Sequence, residues 1–418
     1  MSLSSLVRVA RDELYVEGVA LARIAAEFGT PSYVYSKAGL VQAYVDFTTA
    51  FPKRDILVCY AAKANSNLAI LGLFAKLGAG FDIVSEGELR RVLAAGGDPR
   101  KIVFSGVGKR AEEMRAALEH NILCFNVESE PELLRLAEVA SDMGVRAPVS
   151  IRVNPNVDPK THPYIATGLK ENKFGVAFED ARALYQTASA LSSIEIVGID
   201  CHIGSQITEI SPFADALDKV LQLVDELARD GISLHHIDLG GGIGIRYKDE
   251  EPIAVSDYAA ALGARLQGHE YQLIFEPGRS LVGNAGLLLT RVEYIKQGGE
   301  KRFAIVDAAM NDLIRPALYD AYHEVVAVAP RPEQAARIYD IVGPVCESGD
   351  FLARQRMLAI EPGDLVAILS AGAYGSVMSS NYNTRPRPAE IMVDGTTTHL
   401  IRAREIIQDL YAHERLLP

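Results

Sequence analysis

Lys63, His202, the triplet Gly240–Gly242 and Glu276 each follow a short apolar run, and their side-chain types could together handle an aldehyde, a phosphate and a ring nitrogen. Lys63 closes Cys59-Tyr-Ala-Ala-Lys-Ala-Asn. A lysine there, pointing into an enclosed mouth, has its pKa lowered by burial and its amine freed to form a Schiff base. A surface lysine closing a strand is the plainer alternative. Gly240-Gly-Gly-Ile-Gly follows Ile237-Asp-Leu, and Glu276-Pro-Gly-Arg follows Leu273-Ile-Phe. Successive glycines let backbone N–H groups come close to a phosphate, although a tight turn uses them equally well. Glu276 could pair with a protonated ring nitrogen and make a pyridinium a stronger electron sink, or form a structural ion pair. His202 could lie flat on such a ring or serve as a core histidine. Asp82 could contact Lys63 or the cofactor. A lysine for an aldehyde, glycines for a phosphate and a carboxylate for a pyridine nitrogen describe pyridoxal 5′-phosphate.

These residues need a common frame. Eight apolar runs supply one: Ile56–Ala62, Phe81–Val84, Ile102–Phe104, Leu123–Val127, Val149–Val153, Ile196–Cys201, His236–Leu239 and Leu273–Phe275. Helix-like stretches such as Glu86–Ala95, Glu130–Met143 and Pro212–Asp230 lie between them. Repeated strand–helix units predict a (β/α)₈ TIM-like barrel, whose active sites stand at the C-terminal strand ends. The loops after strands seven and eight are the usual phosphate site of that fold, which favours the phosphate reading of the glycines. The loop from Asn154 to Lys173 is long and carries three prolines, as functional or mobile loops do.

Beyond about residue 285 the texture changes. Leu287–Ile295, Phe303–Val306, Arg337–Val342, Asp364–Leu369 and Ile391–Val393 read as strands without regular helices between them. The fold class is therefore α/β, with a barrel at 38–285 and a β-rich second domain from 1–37 and 286–418. The early strand Ser32-Tyr-Val-Tyr-Ser belongs to that second domain. Before it, Leu21-Ala-Arg-Ile-Ala-Ala-Glu-Phe predicts a helix stopped by Gly29.

With 418 residues, 49% of them hydrophobic and 23% charged, the chain is globular and long enough for two domains. A net charge of −12 argues against nucleic acid and anionic membranes as partners. No stretch has the ~18 uninterrupted apolar residues of a membrane span, and Met-Ser-Leu-Ser-Ser-Leu-Val-Arg lacks a signal peptide's apolar core. Of the four cysteines, Cys59, Cys124 and Cys201 fall within apolar runs and read as buried; none forms a Cys-x-x-Cys pair. A reduced, cytoplasmic setting fits. The nine histidines show no ligand spacing, so no metal is expected.

Tyr60-Ala-Ala-Lys-Ala-Asn, His202-Ile-Gly-Ser, the Gly240 triplet, Glu276-Pro-Gly-Arg, Cys346-Glu-Ser-Gly-Asp and Ala373-Tyr-Gly occur in the order found in one family. The chain resembles the alanine-racemase-fold (type III) pyridoxal phosphate-dependent decarboxylases, and among them the diaminopimelate decarboxylases. The resemblance runs from about Tyr33 to Leu410. It implies that Lys63 bonds to the cofactor aldehyde, His202 stacks on the ring and Glu276 holds the ring nitrogen. Ser205, Gly240, Gly241, Gly242, Gly278 and the Arg279 backbone would bind the phosphate, and Tyr374 would reach both cofactor and substrate. Arg279, Arg315 and Tyr319 resemble the carboxylate-binding set, and an arginine fork suits a carboxylate because it donates two parallel hydrogen bonds. Glu347 resembles the residue that reads the substrate ammonium. Cys346 could by spacing be an inert buried thiol, although it sits in the polar loop Glu347-Ser-Gly-Asp; it resembles the proton donor that reaches across a homodimer interface.

The implied reaction is decarboxylation of meso-2,6-diaminopimelate to L-lysine. Rivals are decarboxylation of ornithine, arginine or carboxynorspermidine, an amino-acid racemase, and a non-catalytic regulatory relative. The racemase would need a tyrosine base near Cys346, and the regulator should have lost Lys63, the glycine triplet or Cys346.

Overall fold

In the computed structural model, which describes residues 6–10, 12–52, 54–158 and 172–418, strands and helices alternate between Ile56 and Phe275. The strands are β1 (Ile56–Ala61), β2 (Gly80–Ile83), β3 (Ile102–Phe104), β4 (Cys124–Val127), β5 (Ala147–Asn154), β6 (Ile194–Asp200), β7 (His236–Asp238) and β8 (Gln272–Phe275). Each runs parallel to the next. Leu273–Phe275 of β8 then pairs with Ile56–Val58 of β1, so the ring closes and leaves no strand edge. All eight apolar runs are strands of this barrel.

Local chemistry fixes the helices around it. The Ser85 and Ser129 hydroxyls accept the N–H groups of Glu88 and Glu132 and start the helices Glu86–Ala94 and Glu130–Met143. Gly144, at φ 67°, ends the second in a left-handed cap. Helix Ser211–Arg229 buries Leu217, Val220, Val224 and Leu227, the stripe that a 3.6-residue period directs to one face. Inside the barrel Cys59, Val103, Cys124 and Ile274 form an apolar cluster. Cys59, Cys124 and Cys201 are buried and Cys346 is exposed. Residues 159–171 of the long loop expected at Asn154–Lys173 lie outside the described residues.

The chain divides into two compact units: residues 44–245 with 251–280, and residues 1–43 with 246–250 and 281–418. In the second unit Ser32–Ser36 runs antiparallel to Gly286–Gly298 and parallel to Ala389–Asp394. The 13-residue strand Gly286–Gly298 is long enough to pair also with Leu365–Ile368 and Lys301–Val306. Arg337–Val342, Phe351–Leu358 and Thr397–Arg402 extend the sheet, the last two not expected from sequence. Val34, Leu287, Leu289, Ile391 and Val393 share a core with Leu14, Leu21 and Ile24. Helix Leu21–Phe28 ends at Gly29, whose N–H donates to Ala25 O at 3.0 Å. Among the described residues no helix is long and apolar enough to cross a membrane.

Gly198 in β6 faces the ring of His236 in β7, and a Cβ there would lie 2.1 Å from His236 Nε2. Gly198→Ala is therefore expected to cost about 1–3 kcal/mol of stability, read as a lower urea midpoint. An unchanged midpoint would mean that the barrel interior yields at this point.

Candidate active site

At the C-terminal ends of the barrel strands the inward-facing side chains change from apolar to charged. Lys63 sits in the turn Ala62–Ala64 directly after β1, and its Nζ lies 2.7 Å from Asp82 Oδ2 of β2. Asp82 is fully buried, while the Lys63 side chain keeps 37% of its exposure. The lysine thus stands at the mouth, held by a carboxylate beneath it. The contact expected between Asp82 and Lys63 is present.

Below lies a concentration of buried acid. One oxygen each from Asp200 (β6), Asp238 (β7) and Glu276 (after β8) fall within 4.8 Å of one another. Glu276 Oε1 accepts from Ser105 Oγ at 3.3 Å and Asn126 Nδ2 at 3.2 Å. Arg152 of β5 is the cation nearby, 3.2 Å from Glu128 and 3.8 Å from Asp200. Burial, and then repulsion from Asp238, Asp82 and Asp200, pushes the Glu276 carboxyl well up. Burial and the Asp238 charge do the same to Asp200, and burial raises Asp238 to about 7. Oδ1 of Asp82, Oδ1 of Asp200 and Oδ2 of Asp238 are buried without a hydrogen-bond partner. A buried acid cluster of this kind favours a cation set against it.

His202 follows β6. Its Nδ1 accepts the Gly241 N–H at 3.1 Å, which fixes the ring as neutral with the proton on Nε2. Burial, then the charges of Arg152 and Lys63, hold its pKa well below the ordinary histidine value, in agreement with a neutral ring. The glycine triplet turns sharply beside it. Gly240 has φ 63° and Gly242 φ 118°, conformations that favour glycine. A Cβ on Gly241 would meet Glu276 O at 2.3 Å, and one on Gly242 would meet Gly204 O at 2.6 Å. Gly240 N–H donates to Asp238 Oδ1 at 2.8 Å, so two of the three triplet N–H groups already hold Asp238 and His202. Arg279 is buried, and its Nε and Nη2 donate to Ser205 Oγ at 3.3 and 3.1 Å. These two residues hold each other beside the glycine loops.

Gly278, in the barrel unit, packs so closely that a Cβ there would lie 3.0 Å from Ala64 Cβ. The second unit carries Arg315, Tyr319, Cys346, Glu347 and Tyr374. Arg315 is buried at the start of helix Arg315–Tyr319, and the spacing of four places Tyr319 one turn along the same face. Its guanidinium lies 4.6 Å from the Tyr247 ring centroid. Cys346 and Glu347 stand exposed on a tight loop. Asp350 anchors that loop, accepting from Val345 N at 2.8 Å and Met310 N at 2.7 Å. Asn383 Oδ1 accepts the Cys346 N–H at 2.7 Å. Tyr374 has φ 54°, a conformation rare for an aromatic residue.

The sequence reading missed Asp200, Asp238, Asn126 and Ser105. Their only signal is a polar residue at the end of an apolar run, as in Ile196-Val-Gly-Ile-Asp. It also missed Asn383, which lies in the polar stretch Asn381-Tyr-Asn-Thr-Arg-Pro.

A parallel (β/α)₈ barrel with a lysine at its mouth, a glycine cradle and a buried acid floor defines a pyridoxal-dependent barrel enzyme. Residues 37–283 match the family model described as the pyridoxal binding domain of pyridoxal-dependent decarboxylases. The diaminopimelate decarboxylase of Pseudomonas aeruginosa is 62% identical over 97% of this chain and 98% of its own. That of Vibrio cholerae is 56% identical over 97% of both. Among solved structures, diaminopimelate decarboxylase from Helicobacter pylori complexed with L-lysine is 46% identical, with a TM-score of 0.91 over 94% of this chain and 99% of that one. The M. jannaschii enzyme in co-complex with L-lysine is 40% identical, with a TM-score of 0.95 over 99% of both chains. The chain belongs to the pyridoxal-dependent decarboxylase family, and its cofactor is pyridoxal phosphate.

The acid cluster has a measurable consequence. Carboxyls with raised pKa keep protons in the folded state where the unfolded chain has lost them, so their stabilising share is lost as pH rises above about 4. The cofactor-free protein should melt at progressively lower temperature from about pH 5 to about pH 8. Asp200→Asn should flatten that slope; a slope equal to that of the wild type would show that Asp200 is ionised at all these pH values.

Proposed function

We infer that the protein decarboxylates meso-2,6-diaminopimelate to L-lysine and CO₂, the final step of lysine biosynthesis. The observation that carries the reading is Glu276 within its buried acid cluster, on the same barrel mouth as the Lys63–Asp82 pair. That arrangement accepts a cationic ring nitrogen on one side and an aldehyde on the other. Bound there, pyridoxal phosphate supplies an electron sink for the pair left when a carboxylate departs.

The chain's own residues do the rest. Lys63 would hold the cofactor through its aldehyde. The neutral His202 ring would lie against the cofactor ring. Glu276 holds the ring nitrogen. The Gly240–Gly242 turn, Gly278, Ser205 and the Arg279 backbone would hold the phosphate, with backbone N–H groups as donors. Tyr374 adds its hydroxyl.

Arg279, Arg315 and Tyr319 bind substrate carboxylate, and Glu347 reads the distal ammonium. Together they hold the L-configured end so that the D-configured carbon reacts, a positioning effect. Once CO₂ has left, Cys346 would donate its thiol proton to Cα, which takes it with the electron pair left by the departed carboxylate. Ornithine and arginine lack a second centre bearing both amine and carboxylate, so Arg315 with Glu347 favours diaminopimelate. In this reading the protein is a cytoplasmic homodimer, and Cys346 serves the partner's active site. The exposed position of Cys346, unlike the three buried cysteines, supports that role.

The test is CO₂ release by the cofactor-loaded protein from meso-diaminopimelate, L-ornithine, L-arginine and L-lysine in separate assays. Release from diaminopimelate with L-lysine as product is expected; release from another substrate would overturn the assignment. Arg315→Met should raise KM for diaminopimelate by about tenfold or more through loss of a charged hydrogen bond. Cys346→Ala should lower kcat by about 100-fold or more, as expected on removal of a general acid.

A further inference from the structure

His323 is fully buried and touches Arg315 directly, with Nε2 2.9 Å from Arg315 Nη1. A guanidinium only donates hydrogen bonds, so Nε2 must be the acceptor and the ring proton must sit on Nδ1. Nδ1 lies 2.8 Å from the Leu369 carbonyl oxygen, which only accepts. Both contacts therefore select one neutral tautomer. Tyr247 completes the setting. Its ring lies against the Arg315 guanidinium at 4.6 Å and meets the His323 ring edge-on at 5.3 Å and 80°. The aromatic face sets the plane of the guanidinium, and the imidazole sets its rotation within that plane. A neutral acceptor does this without adding a negative charge beside Arg315, so the cation is oriented but not neutralised by the contact.

We propose that His323, with Tyr247 against the guanidinium, is the positioning residue that aims Arg315 at the substrate's distal carboxylate. This rests on the reading of Arg315 as a carboxylate ligand. The hydrogen bond that Arg315 makes to substrate is present in the ground state and the transition state alike. Loss of its aim therefore weakens uniform binding and raises KM more than it lowers kcat.

The experiment is steady-state kinetics of the holoenzyme on meso-diaminopimelate with His323→Leu, His323→Gln, Arg315→Met and the double variant His323→Leu/Arg315→Met. His323→Leu should raise KM about tenfold and change kcat by less than about threefold. His323→Gln, whose amide oxygen can accept from Arg315, should recover most of the affinity. In the Arg315→Met background the leucine should add nothing further, because no guanidinium is left to aim. If His323→Leu does not retain cofactor, His323→Asn replaces it, since its shorter amide can serve the Leu369 carbonyl but not Arg315. An unchanged KM, or effects of the two single variants that add in full, would overturn the proposal while leaving Arg315 as a ligand. An Arg315→Met enzyme with wild-type KM would overturn the ligand reading and this proposal together.

Discussion

Mutual repulsion among buried carboxyls is the constraint around which the barrel mouth is built. Asp82, Asp200, Asp238 and Glu276 share a space with little water, and Arg152 and Lys63 offset only part of their charge. Two routes relieve such a cluster: retention of protons, or the approach of a cation. The raised pKa values of Glu276, Asp200 and Asp238 express the first. In the proposed reading, a pyridinium nitrogen against Glu276 is the second, and it would convert an electrostatic cost of the fold into affinity for a ligand of defined charge.

The neighbouring elements serve the same end. Gly241 lets the chain pass against the Glu276 carbonyl at a distance no side chain tolerates. Its N–H fixes the tautomer of His202, so one peptide group links the turn after β7 to the aromatic ring after β6. Asp238 holds Gly240 from below. The glycines thus arrange the residues around them.

Much of this was legible in the sequence for a physical reason. Parallel barrel strands are buried on both faces, so each one is a bare apolar run, and the chemistry follows at its end. Lys63, His202 and Glu276 could be found that way. The strand near Tyr33 was separable because it preceded the eight runs. Asp200, Asp238 and Asn126 stayed hidden because inward facing depends on how strands align across the ring, which one strand's sequence does not contain. His323 lies in the polar stretch Asp320-Ala-Tyr-His-Glu, and its burial comes from contact with Leu369 and Tyr247, far off in the chain. Asn383 meets Cys346 across 37 residues, again through folding alone.

The strand Ser32–Ser36 has all five residues buried and takes its two neighbours from Gly286–Leu289 and Ala389–Val393. On the ribosome its first partner emerges some 250 residues later and its second some 350 residues later. At about 5–20 residues per second that is a delay on the order of 20–70 s for the complete pairing. The barrel, whose strands all lie in one continuous stretch of chain, can be complete well before then. Through that interval Ser-Tyr-Val-Tyr-Ser is an unpaired strand of high β-propensity, open to pairing with other nascent chains. Synthesis speed and chaperone cover therefore bear on the yield of this protein through the strand Ser32–Ser36 far more than through its catalytic barrel.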